Sequence, residues 1–149
     1  MPPVDEWIGP ALRAEAPGAR VEVTRWPTDG KSLDELEQDA RGRVRPMAPD
    51  LVIVAVPRAA KADSLEAFIH GQARVMNSSL SFGAGGWDCV VVHPAVFGPD
   101  RSPADGRDAL IRRLVRAQDL ALFDRRPGEE RPVQELLRDW LRRRPWRRE

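Results

Sequence analysis

The chain has 149 residues, 42% of them hydrophobic and 32% charged, with a formal net charge of +1 at pH 7. These values are typical of one globular domain, and they exclude a disordered chain and a strongly basic binder of nucleic acid. The apolar runs are too short to cross a membrane and the first residues carry no secretion signal, so the sequence predicts a single cytoplasmic domain over residues 1–149 with no membrane partner.

Helix and strand signals alternate along the whole chain. Helical spacing of apolar residues, with a capping box at Ser32 and Glu35, predicts helices near residues 4–12, 32–44, 65–80, 107–118 and 133–141. Alternating or continuous β-branched runs predict strands at residues 20–25, 51–56, 88–92 and 120–123. Continuous apolar runs such as 51–56 are typical of parallel strands that helices cover on both faces. The sequence therefore predicts an α/β fold, a three-layer α/β/α sandwich with a parallel sheet.

Ligands of such folds bind at the carboxyl ends of the strands, and three of these ends carry candidate residues. Gly30 and Ser32 follow the first strand, where backbone N–H groups could face an anion or a developing oxyanion. The alternative is a turn glycine followed by a helix-capping serine. Arg58 follows the second strand and could hold an anionic ligand. His93 follows the third strand and could act as a base or a donor, the alternative being a structural histidine bonded to a loop carbonyl.

The other reactive side chains favour structural roles. Cys89, the only cysteine, lies in an apolar run and is interpreted as a buried, inert thiol, and His70 as a structural or exposed residue. The serine-rich stretch 77–81 has no neighbouring base, and no acid has metal-ligand spacing with a histidine, so the sequence predicts neither a metal nor a cofactor. The arginine-rich tail 142–149 combines charge with an aromatic residue, as nucleic-acid binders do, but is also typical of a solvated terminus.

Several stretches in this order give the chain a resemblance to a known family. They are residues 21–25, 29–32 and 48–56, which include Pro49-Asp50-Leu51-Val52, followed by residues 87–94 and 120–124. They resemble the middle and later blocks of the SGNH/GDSL hydrolases, a family of flavodoxin-like esterases and acylhydrolases. The resemblance covers most of the chain and implies a flavodoxin-like sheet that binds a small acyl, ester or anionic ligand.

Of the family's catalytic blocks, only one position carries over. Gly30 matches the glycine whose backbone N–H helps to form the oxyanion hole. No asparagine lies near Arg58, where the family's third block has one, and no histidine follows Asp124, where the family has Asp-x-x-His. The nucleophilic serine belongs to a first strand that would precede the first helix. The resemblance therefore implies an N-terminally shortened or degenerate domain in which this first, central strand is missing.

The missing strand has a structural consequence that can be checked. In a flavodoxin-like sheet the first strand lies between the second and the third. Residues 20–25 and 51–56 should then pair less fully than residues 51–56 and 88–92. The strand edge left open in this way also favours self-association.

Three functions stay open at this point. The first is an SGNH-like protein without esterase activity of its own. The second is a non-enzymatic interaction or regulatory domain that binds an anionic ligand or nucleic acid through Arg58 and the tail, with nucleic acid disfavoured by the low net charge. The third is an ester hydrolase that uses Ser32 with His93, which would require these side chains to lie within hydrogen-bond reach.

Overall fold

The computed structural model describes residues 5–55, 60–80, 88–98 and 106–143. In these residues the element order is α1 (Asp5–Glu15), α2 (Leu33–Asp39), β1 (Leu51–Ala55), α3 (Leu65–Ser79), β2 (Asp88–Val92), α4 (Arg107–Ala117), β3 (Ala121–Phe123) and α5 (Val133–Arg142). The helical path of α2 continues through a π-helical turn (Ala40–Val44) and a 3-10 turn (Arg45–Met47).

The three strands form one parallel sheet in the order β1-β2-β3. β1 and β2 pair over all five residues of each strand, and β3 pairs with the last three residues of β2. α3 connects β1 to β2 and α4 connects β2 to β3. These are the crossover connections that the alternating sequence signals predict.

Apolar side chains on the two faces of the sheet form two separate cores, which give the molecule three layers. The first core joins one face to α2, α3 and α4 through Leu36, Phe68, Met76 and Ile111. The second core joins the opposite face to α1 and α5 through Ile8, Leu137, Trp140 and Phe123. The α/β class and the parallel sheet flanked by helices on both faces are therefore confirmed.

Two short helix caps explain where α2 and α3 begin. Ser32 and Glu35 form the predicted capping box: the Ser32 hydroxyl accepts from the Glu35 N–H at 3.2 Å, and the Glu35 carboxylate accepts from the Ser32 N–H at 2.8 Å. Ser64 caps α3 by accepting a hydrogen bond from the N–H of Ala67 at 3.0 Å. These side chains satisfy N–H groups that the first turn of a helix leaves without partners.

The predicted strand at residues 20–25 is wrong. This segment has no regular secondary structure, and every residue in it except Val21 is exposed. Alternation of apolar and polar residues marks a segment that can form a strand, but a strand also needs a neighbour with which to exchange backbone hydrogen bonds. No ladder joins the segment to β1 in the described residues, whereas β1 and β2 pair fully. The expected difference in pairing is thus confirmed.

The outer edge of β3 is capped by a side chain. The indole N–H of Trp140 donates to the carbonyl oxygen of Leu122 at 3.1 Å, and its ring packs on Phe123 with ring centroids 5.4 Å apart. An unpaired carbonyl on an edge strand otherwise invites another strand. Trp140 therefore blocks strand addition at this side of the sheet. Within the described parts of the chain, no helix combines the length and the apolar character that a membrane span needs.

Candidate functional site

The carboxyl ends of the strands meet at one end of the sheet, where ligands of parallel α/β folds bind. β2 is followed by His93 and a 3-10 turn (Pro94–Val96), and β3 is followed by Asp124. Arg58, a predicted ligand contact, lies outside the described residues, in the segment directly after β1. The candidate site therefore consists of the loops that follow β2 and β3.

His93 is fully buried, and both of its ring nitrogens take part in hydrogen bonds. The N–H of Ala95 donates to Nδ1 at 3.0 Å, so the proton of the neutral ring lies on Nε2, which donates to the carbonyl oxygen of Asp108 at 2.9 Å. The carboxylate of Asp124 lies 3.3 Å from Nδ1, but a nitrogen that already accepts a hydrogen bond has no proton to donate to it. His93 thus links the end of β2 to the first turn of α4. This is the structural role that the sequence offered as the alternative to a base or donor, except that the ring bonds a helix carbonyl and not a loop carbonyl.

Asp124 holds the loop after β3 in place. Its two carboxylate oxygens accept from the guanidinium of Arg112 on α4, at 2.6 Å and 3.1 Å, and Oδ1 also accepts from the N–H of Arg125 at 2.8 Å. Arg125 in turn donates to the carbonyl oxygens of Glu129 and Arg131, each at 2.9 Å. The loop 124–131 is therefore fixed by charge-assisted hydrogen bonds.

A cleft of about 390 Å³ lies beside the end of β3, between the loop 124–131 and α5. Its apolar lining comes from three side chains that are at most 8% exposed, Phe123, Leu136 and Trp140. Of the described residues, four arginines also line it: Arg126, Arg131, Arg142 and Arg143. We call it the arginine cleft. Its volume lies in the range of pockets that hold small ligands.

Three carboxylates in the described part of the cleft lining each have an arginine partner. Asp124 pairs with Arg112 at 2.6 Å, while Glu129 and Asp139 pair with Arg131 at 3.0 Å and 2.6 Å. The hydrogen bonds from Arg131 lower the pKa of the Glu129 carboxyl, and the bonds to Glu129 and Asp139 raise the pKa of Arg131. Arg131 is thus shared by two of the carboxylates, and Arg142 also lies 3.8 Å from Asp139.

Two of the four arginines have no carboxylate partner in the described part of the chain. Arg142 pairs with Glu15 of α1 at 3.2 Å. The Nε of Arg143, however, donates only to the backbone carbonyl of Asp139 at 3.3 Å, and the guanidinium of Arg126 makes neither a hydrogen bond nor an ion pair with the described residues. The described lining thus has four arginines and three carboxylates, an excess of positive charge beside the Trp140 ring that suits an organic anion.

Gly30 and Ser32 are positioned by a turn and by a helix cap. Gly30 is exposed and has a φ of +74°, and the N–H of Lys31 closes its turn on the carbonyl oxygen of Thr28 at 3.3 Å. The hydroxyl of Ser32 accepts the capping bond from α2. Among the described residues no hydrogen bond joins Ser32 to His93, so the structure does not bring together the pair that a non-family hydrolase would need.

The remaining candidates have ordinary roles. Burial raises the pKa of the Cys89 thiol to about 12, as expected for an inert cysteine. His70 is exposed on α3, 3.7 Å from the carboxylate of Glu66. In the serine-rich stretch the Ser79 hydroxyl donates to the carbonyl oxygen of Val75 at 2.8 Å, one helical turn earlier.

A second cleft, of about 300 Å³, lies between the first turns of α1 and α5. Trp7 and Phe97 form its aromatic wall, with ring centroids 5.6 Å apart and planes inclined by 54°. Glu6, Val133 and Gln134 complete the lining. Because none of the described residues that line this cleft is basic, the arginine cleft is the better candidate for an anionic ligand.

Sequence reasoning marked the loop 124–131 as a strand end but gave it no ligand-binding residue. Arg142 and Arg143 belong to the arginine-rich tail, which the sequence leaves open as a nucleic-acid contact or a solvated terminus, and residues 144–149 of this tail lie outside the described part. The only available signal was the position of the loop after β3, together with Asp139 on α5 and Arg143 four residues later, at the C-cap of that helix.

Comparison of the chain with protein-family models, with curated proteins and with solved structures finds no match. Evidence about function therefore comes from the geometry of the chain's own residues.

Proposed function

We propose that this chain is a non-catalytic α/β domain that binds a small organic anion in the arginine cleft, and that it is a degenerate relative of the SGNH hydrolases. The observation that carries the proposal is the pair Arg126 and Arg143. Both guanidinium groups lack a carboxylate partner in the described residues, whereas all three carboxylates of the cleft have arginine partners.

The lining of the cleft suggests the class of ligand. Guanidinium groups bind carboxylates and phosphates through two parallel hydrogen bonds, and they also stack on flat rings. The apolar part of the lining includes the Trp140 ring, which can contact a flat apolar group. A carboxylate or phosphate attached to an aromatic or acyl group combines both features, and it fits a volume of about 390 Å³.

The distribution of helices supports a relationship to flavodoxin-like proteins. α1 and α5 pack on one face, and α2, α3 and α4 on the other. Right-handed connections around a sheet of order 2-1-3-4-5 place its helices in the same way, with β1, β2 and β3 of this chain as the last three strands. The SGNH hydrolases are one family with this arrangement, and residues 48–56 are the stretch that most resembles theirs.

The hydrogen bonds that Ser32 and His93 already make support a domain without hydrolase activity. The Ser32 hydroxyl caps α2, and both ring nitrogens of His93 are bonded elsewhere. We expect no hydrolysis of p-nitrophenyl acetate or butyrate above that of a heat-denatured control, because a nucleophile without an adjacent base stays inactive. Turnover that disappears in both Ser32→Ala and His93→Ala would contradict the proposal and favour an ester hydrolase with a non-family site.

Binding can be tested with phenyl phosphate, which joins a flat ring to a phosphate. We expect saturable binding with one site in isothermal titration calorimetry, and about tenfold weaker binding after Arg126→Gln or Arg143→Gln. This corresponds to about 1.4 kcal/mol, near the lower limit for a hydrogen bond to a charged group. Binding should also weaken as the salt concentration rises.

A matched control separates the cleft from general positive charge. Arg113 on α4 is also exposed and unpaired in the described residues, but it lies outside the lining of the cleft. Arg113→Gln should leave the affinity unchanged. Equal losses of affinity in all three variants would indicate diffuse electrostatic attraction and would contradict the proposal. Inorganic phosphate and phenol, titrated separately, give the contribution of the charged and the aromatic group.

A further inference from the structure

We propose that Arg131 is a further anion-binding residue of the arginine cleft, and that the carboxylate of Glu129 occupies its guanidinium group until a ligand displaces it. This inference deepens the proposed function and rests on it, since it concerns the same cleft and the same class of ligand. Its consequence is that the cleft binds anions more weakly than its arginines allow, because one of its own carboxylates competes with the ligand.

Glu129 holds the guanidinium of Arg131 in the geometry that arginine uses for anionic ligands. The Nε and Nη2 groups of Arg131 donate to the two carboxylate oxygens of Glu129 at 3.1 Å and 3.0 Å. Two parallel hydrogen bonds of this kind are also the way in which one guanidinium binds a free carboxylate or phosphate. The third nitrogen, Nη1, donates to the carboxylate of Asp139 at 2.6 Å. Glu129 therefore acts at Arg131 as the anionic group of a ligand would.

A tight turn brings the carboxylate of Glu129 to Arg131. The N–H of Glu129 bonds to the carbonyl oxygen of Arg126 at 3.1 Å, and Gly128 has a φ of +78°. Proline followed by a glycine of positive φ is typical of a type II turn, and Pro127 precedes Gly128. Oε1 of Glu129 also accepts from the backbone N–H of Arg131 at 3.1 Å. Rotation of the Glu129 side chain alone separates the two charged groups, so the exchange for a ligand needs no change of fold.

The loop does not depend on this ion pair for its position. Arg125 fixes it independently, because its guanidinium donates to the carbonyl oxygens of Glu129 and Arg131, each at 2.9 Å. Other ion pairs join separate elements, as Arg112 on α4 does with Asp124, whereas Glu129 and Arg131 lie two residues apart in one loop. The pair Glu129 and Arg131 therefore adds little to the tertiary structure.

The pair is also within reach of a ligand. Both residues line the arginine cleft, and their side chains are 23% and 47% exposed. Water screens an exposed ion pair, which makes its exchange for an anion of the same geometry inexpensive. Hydrogen bonds from Arg131 lower the pKa of the Glu129 carboxyl, so Glu129 competes as a charged group at neutral pH.

Isothermal titration calorimetry with phenyl phosphate at pH 7 tests the inference. We expect Glu129→Gln to bind about tenfold more tightly than the original chain, since Arg131 becomes available for charge-assisted hydrogen bonds to the phosphate. Glutamine keeps the size of the side chain and one acceptor oxygen. Glu130→Gln is the matched control for charge, because Glu130 is exposed and lies outside the described lining of the cleft. It should tighten binding by less than about twofold.

A lysine at position 131 separates the shape of the guanidinium from its charge. The double variant Glu129→Gln/Arg131→Lys has the same net charge as Glu129→Gln, but an ammonium group does not offer two parallel donors. We expect this double variant to lose most of the gain in affinity. The Nε–H signal of Arg131 in nitrogen-15 NMR, assigned by its loss in Arg131→Lys, gives a direct readout. Phenyl phosphate should move this signal in the original chain, and at a lower concentration in Glu129→Gln.

Two outcomes would overturn this inference and leave the proposed function in place. The first is an equal gain of affinity in Glu129→Gln and either comparison variant. The second is an Arg131 signal that stays unchanged at saturation while Arg126→Gln and Arg143→Gln weaken binding. Absence of saturable binding in the original chain and in every variant would overturn both. If a variant does not fold, the Arg131 signal in the original chain still decides the question.

Discussion

The two histidines show how burial determines what a titratable side chain does. His93 has no exposed surface and connects β2 to α4 through Ala95 and Asp108. The imidazole of His70 is 68% exposed, and its nearest acidic group is the carboxylate of Glu66 at 3.7 Å. A buried ring that satisfies two backbone groups contributes packing and hydrogen bonding together, whereas an exposed ion pair contributes little.

Alanine substitutions at these positions should differ in their effect on stability. We expect His93→Ala to lower the free energy of unfolding by about 3 kcal/mol, because it leaves a cavity and an unpaired N–H on Ala95. His70→Ala should change it by less than about 0.5 kcal/mol. Urea denaturation followed by tryptophan fluorescence measures both values. Similar small losses in the two variants would contradict the structural role assigned to His93.

At the scale of elements, local sequence patterns correctly predicted the strands and helices whose hydrogen-bonding partners lie within the chain. The apolar runs at β1 and β2 pair with each other, and the capping box at Ser32 forms within one helical turn, so the sequence signal was sufficient. Residues 20–25 carry a comparable alternating pattern but have no hydrogen-bonded neighbour. A strand is a property of a pair of segments, and one segment alone does not encode it.

The candidate site was less predictable than the fold, for a similar reason. Gly30, Ser32 and His93 were recognised by residue type and by position after a strand, and each is engaged in a local structural contact. Arg126 and Arg143 are two of many arginines in the sequence. Only the folded chain reveals that the carboxylates around them are already paired with other arginines. Charge balance within a cleft depends on tertiary contacts and leaves no local motif.

For the whole molecule, nearly equal numbers of basic and acidic side chains make stability sensitive to acid. The chain has 24 Lys and Arg residues and 23 Asp and Glu residues. Among the described residues, three carboxyl groups have a pKa below the ordinary value. The pKa of Asp39 is lowered by hydrogen bonds from Lys31 and then Trp26, that of Glu35 by the capping box with Ser32, and that of Glu129 by Arg131. Protonation at low pH removes these bonds and leaves the arginines to repel one another.

Asp39 provides the clearest test of this dependence, because it fixes the turn before α2 to the end of that helix. Its pKa in the folded chain lies below the ordinary 3.8, so the folded state binds fewer protons than the unfolded state near that pH. The stabilisation is therefore complete above about pH 5 and is lost as the pH falls through the folded pKa. We expect Asp39→Asn to lower the free energy of unfolding by about 1–2 kcal/mol at pH 7 and by a smaller amount at pH 3.

Urea unfolding between pH 7 and pH 3 measures this difference. Over this range the free energy of unfolding should decrease less in the Asp39→Asn variant than in the original chain. Glu130→Gln is the control, because Glu130 is exposed and has neither a hydrogen bond nor an ion pair to a described residue. The free energy of unfolding of Glu130→Gln should decrease with acid by the same amount as that of the original chain. If Asp39→Asn and the original chain lost stability in parallel over the whole range, the contacts of Asp39 with Lys31 and Trp26 would not be a source of the acid sensitivity. The arginine-rich surface as a whole would then account for it, through repulsion that no single carboxylate relieves.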